Sequence, residues 1–330
     1  NVARSSYDGR EGAAFSRTVP HQMLSKAAKV IERLRTPAAE LTSAFGMSMF
    51  PKRSAPAPMR VPSLRMLLIE HPTSTESAAA ARAVQSNGLR IDLVKATAAD
   101  CLKYAPQLRA GLCMPVGSAA FIRSCMALAG VQEPKWTCYP RELSGHMLQV
   151  PRRTTVGAAL AGARPIFLKP VFGRPFSGFI LRPKGYMDAH GLRQLDAMLQ
   201  LSPATAIWSA RALAFASEWR YYVLYGEVIG FARYYPVGGA VRAHPEIEEI
   251  STIIAAIPHD AAYALDVAVL ENGESTVIGV RDAWALELVT DGPDRPEAID
   301  YLRLLWTRWA ELILEARDRA AANSLPQRDK

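Results

Sequence analysis

A chain of 330 residues, 49% of them apolar, is long enough to bury a sizeable core divided among two or three subdomains. Its formal net charge of +8 suits a partner or substrate that carries phosphates or carboxylates, although much of this charge can be ordinary solvated surface. No apolar run approaches the ~20 residues that a membrane-spanning helix needs, and the N-terminus lacks the apolar segment of a signal peptide. We therefore expect neither a membrane partner nor secretion.

The cysteines predict a cytoplasmic location. They form no CxxC pair and have no His at the spacing of a metal site. Two of the four lie in apolar sequence contexts and are interpreted as buried thiols, which favours a reducing compartment.

Residues 1–60 contain many Arg, Ser and Pro residues and show little hydrophobic periodicity. His21–Arg35 is the exception, with apolar residues at near-helical spacing, and Pro51–Pro58 has the composition of an extended linker. We interpret this part as a basic, largely flexible arm with one helix. A basic contact surface and a cropped neighbouring domain are the alternatives. We do not expect a nucleic-acid partner, although the basic arm would be its site.

Residues 61–150 alternate between strand and helix patterns, which predicts a small α/β domain with a parallel sheet. The predicted strands and helices, in chain order, are Leu64–Glu70, Thr75–Gln85, Leu89–Lys95, Gly111–Pro115 and Ser118–Leu128. Gly117 precedes the last helix and suggests a phosphate loop, but the chain has neither GxGxxG nor GxxxxGK[ST]. We therefore interpret this loop as a capped turn.

Residues 151–322 are predicted to form a second domain, followed by a frayed tail over residues 323–330. Its predicted helices are Thr154–Ala161, His190–Gln200, Pro245–Pro258 and Pro296–Ala322. Its predicted single strands are Pro165–Val171, Phe179–Leu181 and Thr205–Ser209. Two hairpins are predicted, one that turns at Tyr225–Gly226–Glu227 and one that joins Ala262–Leu270 to Ser275–Val280 through Asn272–Gly273.

Five charged residues stand out against this pattern. Lys169 lies in an apolar strand, where it either has an anionic partner or extends to water at a sheet edge. Arg174 lies in a Gly- and Ser-containing loop that suits a phosphate lid. Glu218 and Arg220 share a strand face, either as a structural pair or with the acid orienting the guanidinium towards an anion. Asp266 lies mid-strand among apolar residues, so it either pairs with a cation or binds a metal.

A series of short segments carries a family resemblance. They are PVGSAAFIR at Pro115–Arg123, Tyr139–Pro140, Arg152, FLKP at Phe167–Pro170, RPFSGF at Arg174–Phe179, SEWRYYVLYGEVIG at Ser217–Gly230, LDVAVL at Leu265–Leu270 and DAWAL at Asp282–Leu286. Their order and spacing resemble an ATP-grasp enzyme of the divergent clade that includes the cell-division-cycle 123 family, over roughly Gly111 to Leu288. The resemblance implies an α+β ATP-grasp fold, with two α+β subdomains around ATP and a small α/β pre-ATP-grasp domain before them.

The resemblance also implies a reaction in which a carboxylate attacks ATP to give an acyl phosphate, which an amine then captures. The substrates would be ATP, a carboxylate and an amine, in a peptide, a protein or a small amino compound. Phosphoryl transfer depends on cations placed around the phosphates. The implied phosphate-binding residues are Lys169, Arg174 and Arg152. Arg220, oriented by Glu218, would stabilise the transferred phosphoryl group.

The resemblance implies a Mg²⁺ site at Asp266, but the pattern is incomplete there. The family usually carries Glu-x-Asn at the positions occupied by Gly279 and Arg281, and a hinge-strand Glu is replaced by Arg211. We expect weakened Mg²⁺ binding, with Asp282 or Glu287 as a substitute carboxylate, or Arg281 supplying part of the metal's charge.

Two hypotheses follow. The first is an ATP-dependent carboxylate–amine ligase with a partly eroded metal site, and the second is a catalytically weakened ATP-grasp module that binds a nucleotide or a protein.

Overall fold

The structure is a computed structural model that describes residues 64–324 except 136, 174, 237–243, 258–260 and 290–293. The chain divides into two compact units, Asn1–Met59 and Arg60–Lys330. The predicted arm, with its helix and linker, lies outside the described residues, as does the end of the predicted tail. The described part contains three sheets.

The first sheet is parallel and three-stranded, in the order β2–β1–β3. Its strands are β1 (Met66–Glu70), β2 (Asp92–Ala96) and β3 (Cys113–Val116), and helices α1 (Thr75–Ser86), α2 (Ala105–Arg109) and α3 (Ala119–Ala129) belong to the same part of the chain. The predicted parallel sheet is therefore present, whereas α2 was not predicted.

The loop before α3 is the capped turn that the sequence predicts. The Ser118 hydroxyl caps the helix by accepting a hydrogen bond from the Phe121 N–H. The Glu70 carboxylate accepts hydrogen bonds from the Ser118 N–H and from its hydroxyl, at 2.5 and 2.7 Å. A carboxylate thus already takes the position that a bound anion would need.

The second sheet is antiparallel, in the order β4–β7–β5–β6. Its strands are β4 (Arg152–Thr155), β5 (Ile166–Pro170), β6 (Phe179–Leu181) and β7 (Ala206–Arg211), with helices α4 (Val156–Leu160) and α5 (Ala189–Leu199). The predicted helix from Thr154 was wrong at its start. Thr154 and Thr155 belong to a strand, and α4 begins at Val156 with the Thr155 hydroxyl as its cap.

The third sheet is also antiparallel, in the order β11–β10–β8–β9. Its strands are β8 (Phe215–Leu224), β9 (Glu227–Tyr235), β10 (Ala262–Leu270) and β11 (Ser275–Asp282), with helices α6 (Ile247–Ala256) and α7 (Ala298–Ser324). Both predicted hairpins are present. Tyr225 and Gly226 turn the first with φ values of 51° and 81°, and Gly273 turns the second with φ 88°.

A bulge interrupts the β10–β11 ladder beside Asp266. Asp266 pairs with Gly279, but Val267 pairs with Val277, so Ile278 is the extra residue on β11. Gly279 adopts φ 156°, which a residue with a side chain rarely adopts. The bulge therefore explains locally why a glycine lies opposite Asp266.

Three hydrophobic cores hold these layers together. One lies between the parallel sheet, helix α7 and one face of the third sheet, and the second lies between the other face of that sheet and α6. The third lies between the second sheet, α4 and α5. Cys101, Cys113 and Cys125 are buried free thiols, and Cys138 is a half-buried one, in agreement with the predicted buried thiols. Within the described residues, we find no helix with the length and apolarity to cross a membrane.

Candidate functional site

Asp266 lies at the centre of a buried ion cluster on the third sheet. Its Oδ1 accepts a hydrogen bond from Arg220 Nε at 2.8 Å, and its Oδ2 accepts one from Arg220 Nη2 at 3.1 Å. Arg281 Nε donates to the same Oδ2 at 2.6 Å. Register places these residues together, because Asp266 lies opposite Arg220 on β8 while Arg281 lies opposite Ala264 on β11. Of the two alternatives that the sequence leaves open, pairing with a cation is the one observed.

The electrostatics of this cluster favour the charged form of every member. Burial alone would raise the pKa of Asp266, but the charges and hydrogen bonds of Arg220 and Arg281 outweigh it and hold that pKa well below its usual value. Burial alone would lower the pKa of each guanidinium, and the Asp266 charge instead raises both. Asp266 and Arg220 are each only 2% exposed, so solvent screens this pair little.

Arg220 is oriented by Asp266 and not, as the sequence suggests, by Glu218. Its remaining contacts are with Glu287, since Nη1 donates to the backbone carbonyl at 3.2 Å and lies 3.8 Å from the carboxylate. The Tyr234 ring lies 5.3 Å from the Arg220 guanidinium carbon. Burial raises the pKa of Glu218, and a hydrogen bond with Tyr234 partly offsets that rise. Glu218 therefore belongs to the surroundings of the cluster.

Lys169 reaches this region from the second sheet. Its Nζ lies 3.3 Å from the point where a Cβ on Gly279 would be, and 5.3 Å from the centroid of the Tyr139 ring. Gly279 is the register partner of Asp266, so side chains from both sheets converge here. We call the place where Lys169, Tyr139, Gly279 and the Asp266 cluster meet the sheet junction. The sequence predicts that Lys169, Arg220 and Asp266 converge, and the structure brings them together.

The face of the second sheet that carries Lys169 also carries Arg153 and Trp208. Cross-strand pairing places Trp208 between these two residues. The Arg153 guanidinium lies 5.2 Å from the centroid of the Trp208 ring, and Tyr139 packs edge-on against the same ring at 5.2 Å. The Trp208 Nε1–H is buried and has no acceptor within the described residues.

Arg152, which the resemblance assigns to phosphate binding, pairs with Ser209 in the alternate row of β4. That row continues into Leu168, which is fully buried in the core on the other side of the sheet. Arg153 is therefore the β4 arginine on the Lys169 face, and sequence reasoning missed it. Recognising Arg152–Thr155 as a strand would have separated the two arginines by the alternation of strand side chains.

Asp282 lies outside the cluster. Its carboxylate accepts two hydrogen bonds from Arg308 on α7, at 2.8 and 2.7 Å, and one from the Trp284 N–H. These contacts occupy both of its oxygens in a buried ion pair, and they differ from the metal role predicted from the sequence. Of the other predicted residues, Arg174 lies outside the described residues, and the Glu287 carboxylate is largely exposed.

The described part of the chain contains no group of three or more His, Cys, Asp or Glu side chains arranged to hold a metal ion. Asp266 has cations as its neighbours where a metal ligand would have further oxygen donors. The arrangement is therefore suited to holding a polyanion with guanidinium and ammonium groups.

The comparison with protein families agrees with this geometry. Residues 150–299, a little under half of the chain, match a family model that is described as an ATP-grasp domain, family 2 of its clade. The fold is an α+β ATP-grasp fold. The predicted fold class is thus confirmed. No protein of curated function matches the sequence.

Solved structures of similar fold include several ATP-grasp proteins. The ATP-grasp ligase PsnB, complexed with a minimal precursor, is 12% identical, with 74% of this chain and 100% of that chain covered at a TM-score of 0.44. D-alanine–D-alanine ligase from Bacillus anthracis, complexed with ATP, is 12% identical, with 80% and 100% covered at 0.41. The ADP complex of purK, an N5-carboxyaminoimidazole ribonucleotide synthetase, is 13% identical, with 74% and 78% covered at 0.45. At these identities the similarity is one of fold.

Proposed function

We propose that this protein binds ATP at the sheet junction. The observation that carries the proposal is the approach of Lys169 from one sheet to Gly279 and the Asp266 cluster on the other. Three cations from separate strands, Lys169, Arg220 and Arg281, thereby surround one region. Such convergence is what a polyphosphate needs, because its binding depends on charge and position. The family match over residues 150–299 supports the nucleotide as the ligand.

The aromatic part of the junction supports a ligand as well. Trp208 packs against Arg153 and Tyr139, and its Nε1–H is buried without an acceptor in the described part of the chain. A buried donor without a partner costs free energy, which a ligand oxygen or nitrogen would recover. We propose that part of the nucleotide supplies this acceptor.

The test is ATP binding by the full chain, measured by isothermal titration calorimetry for the wild type and the Lys169→Gln variant. We expect the variant to bind roughly 10- to 100-fold more weakly, because it loses a charge-assisted contact with phosphate. Lys95→Gln is the matched control, since Lys95 is an exposed lysine at the end of β2 in another sheet. Equal affinities for wild type and Lys169→Gln would contradict the assignment of this lysine, and no binding by the wild type would contradict the function.

A second candidate is ATP-dependent carboxylate–amine ligation, and the family match is the observation that favours it. A carboxylate oxygen would form a bond to the γ-phosphorus while the bond to ADP breaks, giving an acyl phosphate. An amine would then attack the acyl carbon, and phosphate would leave. Arg220, held rigidly by Asp266, is the residue we propose to stabilise the transferred group. Trapping of a hydroxamate when ATP, a carboxylate and hydroxylamine are supplied would support ligation, and ATP binding without any trapped product would favour the binding module.

Two finer assignments complete the proposal. We place the protein in the divergent ATP-grasp clade that includes the cell-division-cycle 123 family, on the segments identified in the sequence. We also propose a cytoplasmic location, since Cys101 and Cys125 remain thiols although their sulfur atoms lie only 3.2 Å apart.

A further inference from the structure

The donor set around Asp266 does not fit the Mg²⁺ that the fold family implies. Mg²⁺ requires near-octahedral oxygen coordination at about 2.0–2.1 Å. Oδ2 of Asp266 already accepts two guanidinium N–H groups, at 2.6 and 3.1 Å, and Oδ1 accepts a third at 2.8 Å. A metal on this carboxylate would stand beside two fixed positive charges, at a cost that grows because the pair is buried.

The residue opposite Asp266 cannot supply the missing ligand. Gly279 has no side chain, its φ of 156° disfavours one, and Lys169 Nζ lies 3.3 Å from the position of its Cβ. An ammonium group from the second sheet thus lies where a second carboxylate would have to stand. Glu218 is the other acid on this face, and its side chain hydrogen-bonds with Tyr234.

We propose that the Arg281 guanidinium replaces the metal, so that the protein binds the polyphosphate of a nucleotide without Mg²⁺. This inference rests on the proposed function and deepens it, because it names the group that neutralises the phosphates at the same site. Arg281 and Arg220 together with Lys169 provide three cations against the two carboxylates of Asp266 and Glu218. The junction therefore has an excess of positive charge that a bare nucleotide polyanion can balance.

Arg281 is the guanidinium of the cluster that still has donors to offer. Within the described residues, its side chain makes one hydrogen bond, from Nε to Asp266, and the terminal Nη groups make none. Its side chain is 23% exposed, whereas that of Arg220 is 3% exposed and has Glu287 as a further partner. Asp266 thus orients Arg281 through Nε and leaves its planar end for a phosphate.

The experiment compares ATP affinity of the full chain in excess EDTA and in excess magnesium, by isothermal titration calorimetry. We expect affinities that agree to within about threefold. Binding that requires magnesium would overturn the inference and leave the proposed function standing. Binding in neither condition would overturn both.

The Arg281→Gln variant tests the residue itself. In EDTA we expect it to bind ATP roughly 10- to 100-fold more weakly than the wild type, because the phosphates lose a charged donor. Arg281→Lys keeps the charge and should recover part of the affinity. Unchanged affinity in Arg281→Gln would overturn the assignment. If that variant fails to fold, the affinities of the wild type in EDTA and in magnesium still decide the inference.

Discussion

Asp266 is a carboxylate whose hydrogen-bond donors are all guanidinium nitrogens, and its charge holds two arginines in place. Removal of that charge would leave Arg220 buried without its counter-ion. We therefore expect Asp266→Asn to lower the free energy of unfolding by about 3–5 kcal/mol at neutral pH, as measured by urea denaturation. Arg303→Ala, which removes an exposed ion pair with Asp300, is the control and should change stability little.

The same carboxylate predicts a pH dependence. Since the folded-state pKa of Asp266 lies below its unfolded value of about 4, its contribution is complete above that pH and is lost as the pH falls towards the folded value. The unfolding free energies of wild type and Asp266→Asn should therefore converge as the pH drops below about 4. Burial raises the pKa of Glu218, so this group acts in the opposite direction in both proteins. Parallel curves down to acid pH would show that the ion pairs do not stabilise the fold.

At the scale of the elements, strand β4 decides which arginine faces the sheet junction. Arg153 shares its row with Trp208 and Lys169, and Arg152 lies in the alternate row. We expect Arg153→Gln to weaken ATP binding roughly tenfold and more than Arg152→Gln does, because only Arg153 is stacked on the junction face. Calorimetry on the two variants makes the comparison, and a larger loss in Arg152→Gln would reverse the assignment.

The elements also show how far the sequence reached. The hairpin at Asn272–Gly273 was predictable because the turn and the alternation are local, and Gly273 has the positive φ that the turn needs. The strand Arg152–Thr155 was missed because its residues run directly into a helix that Thr155 caps. Two partners of Asp266 were beyond reach for another reason. The side-chain contacts of Arg220 and Arg281 with it depend on the bulge and register of β10, which no local pattern states.

At the scale of the whole described chain, helix α7 joins two of the three sheets. Its Trp309 donates a hydrogen bond to the Cys113 carbonyl on the parallel sheet, at 2.9 Å. Its Arg308 holds Asp282 at the end of β11 in the third sheet. Both contacts are buried, so α7 is a common wall of the large core that contains residues of both sheets. Asp282 is accordingly part of how the sheets are fastened.

Arg308→Met separates this fastening from nucleotide binding. The variant leaves the Asp282 carboxylate buried without its cation, so we expect the free energy of unfolding to fall by about 3–5 kcal/mol. ATP affinity should stay at the wild-type value, because Arg308 and Asp282 lie outside the Asp266 cluster. Arg303→Met on the same helix is the control, since its side chain is 56% exposed. If Asp282 instead belongs to the nucleotide site, as the sequence suggests, Arg308→Met will change ATP affinity measured well below the denaturation midpoint.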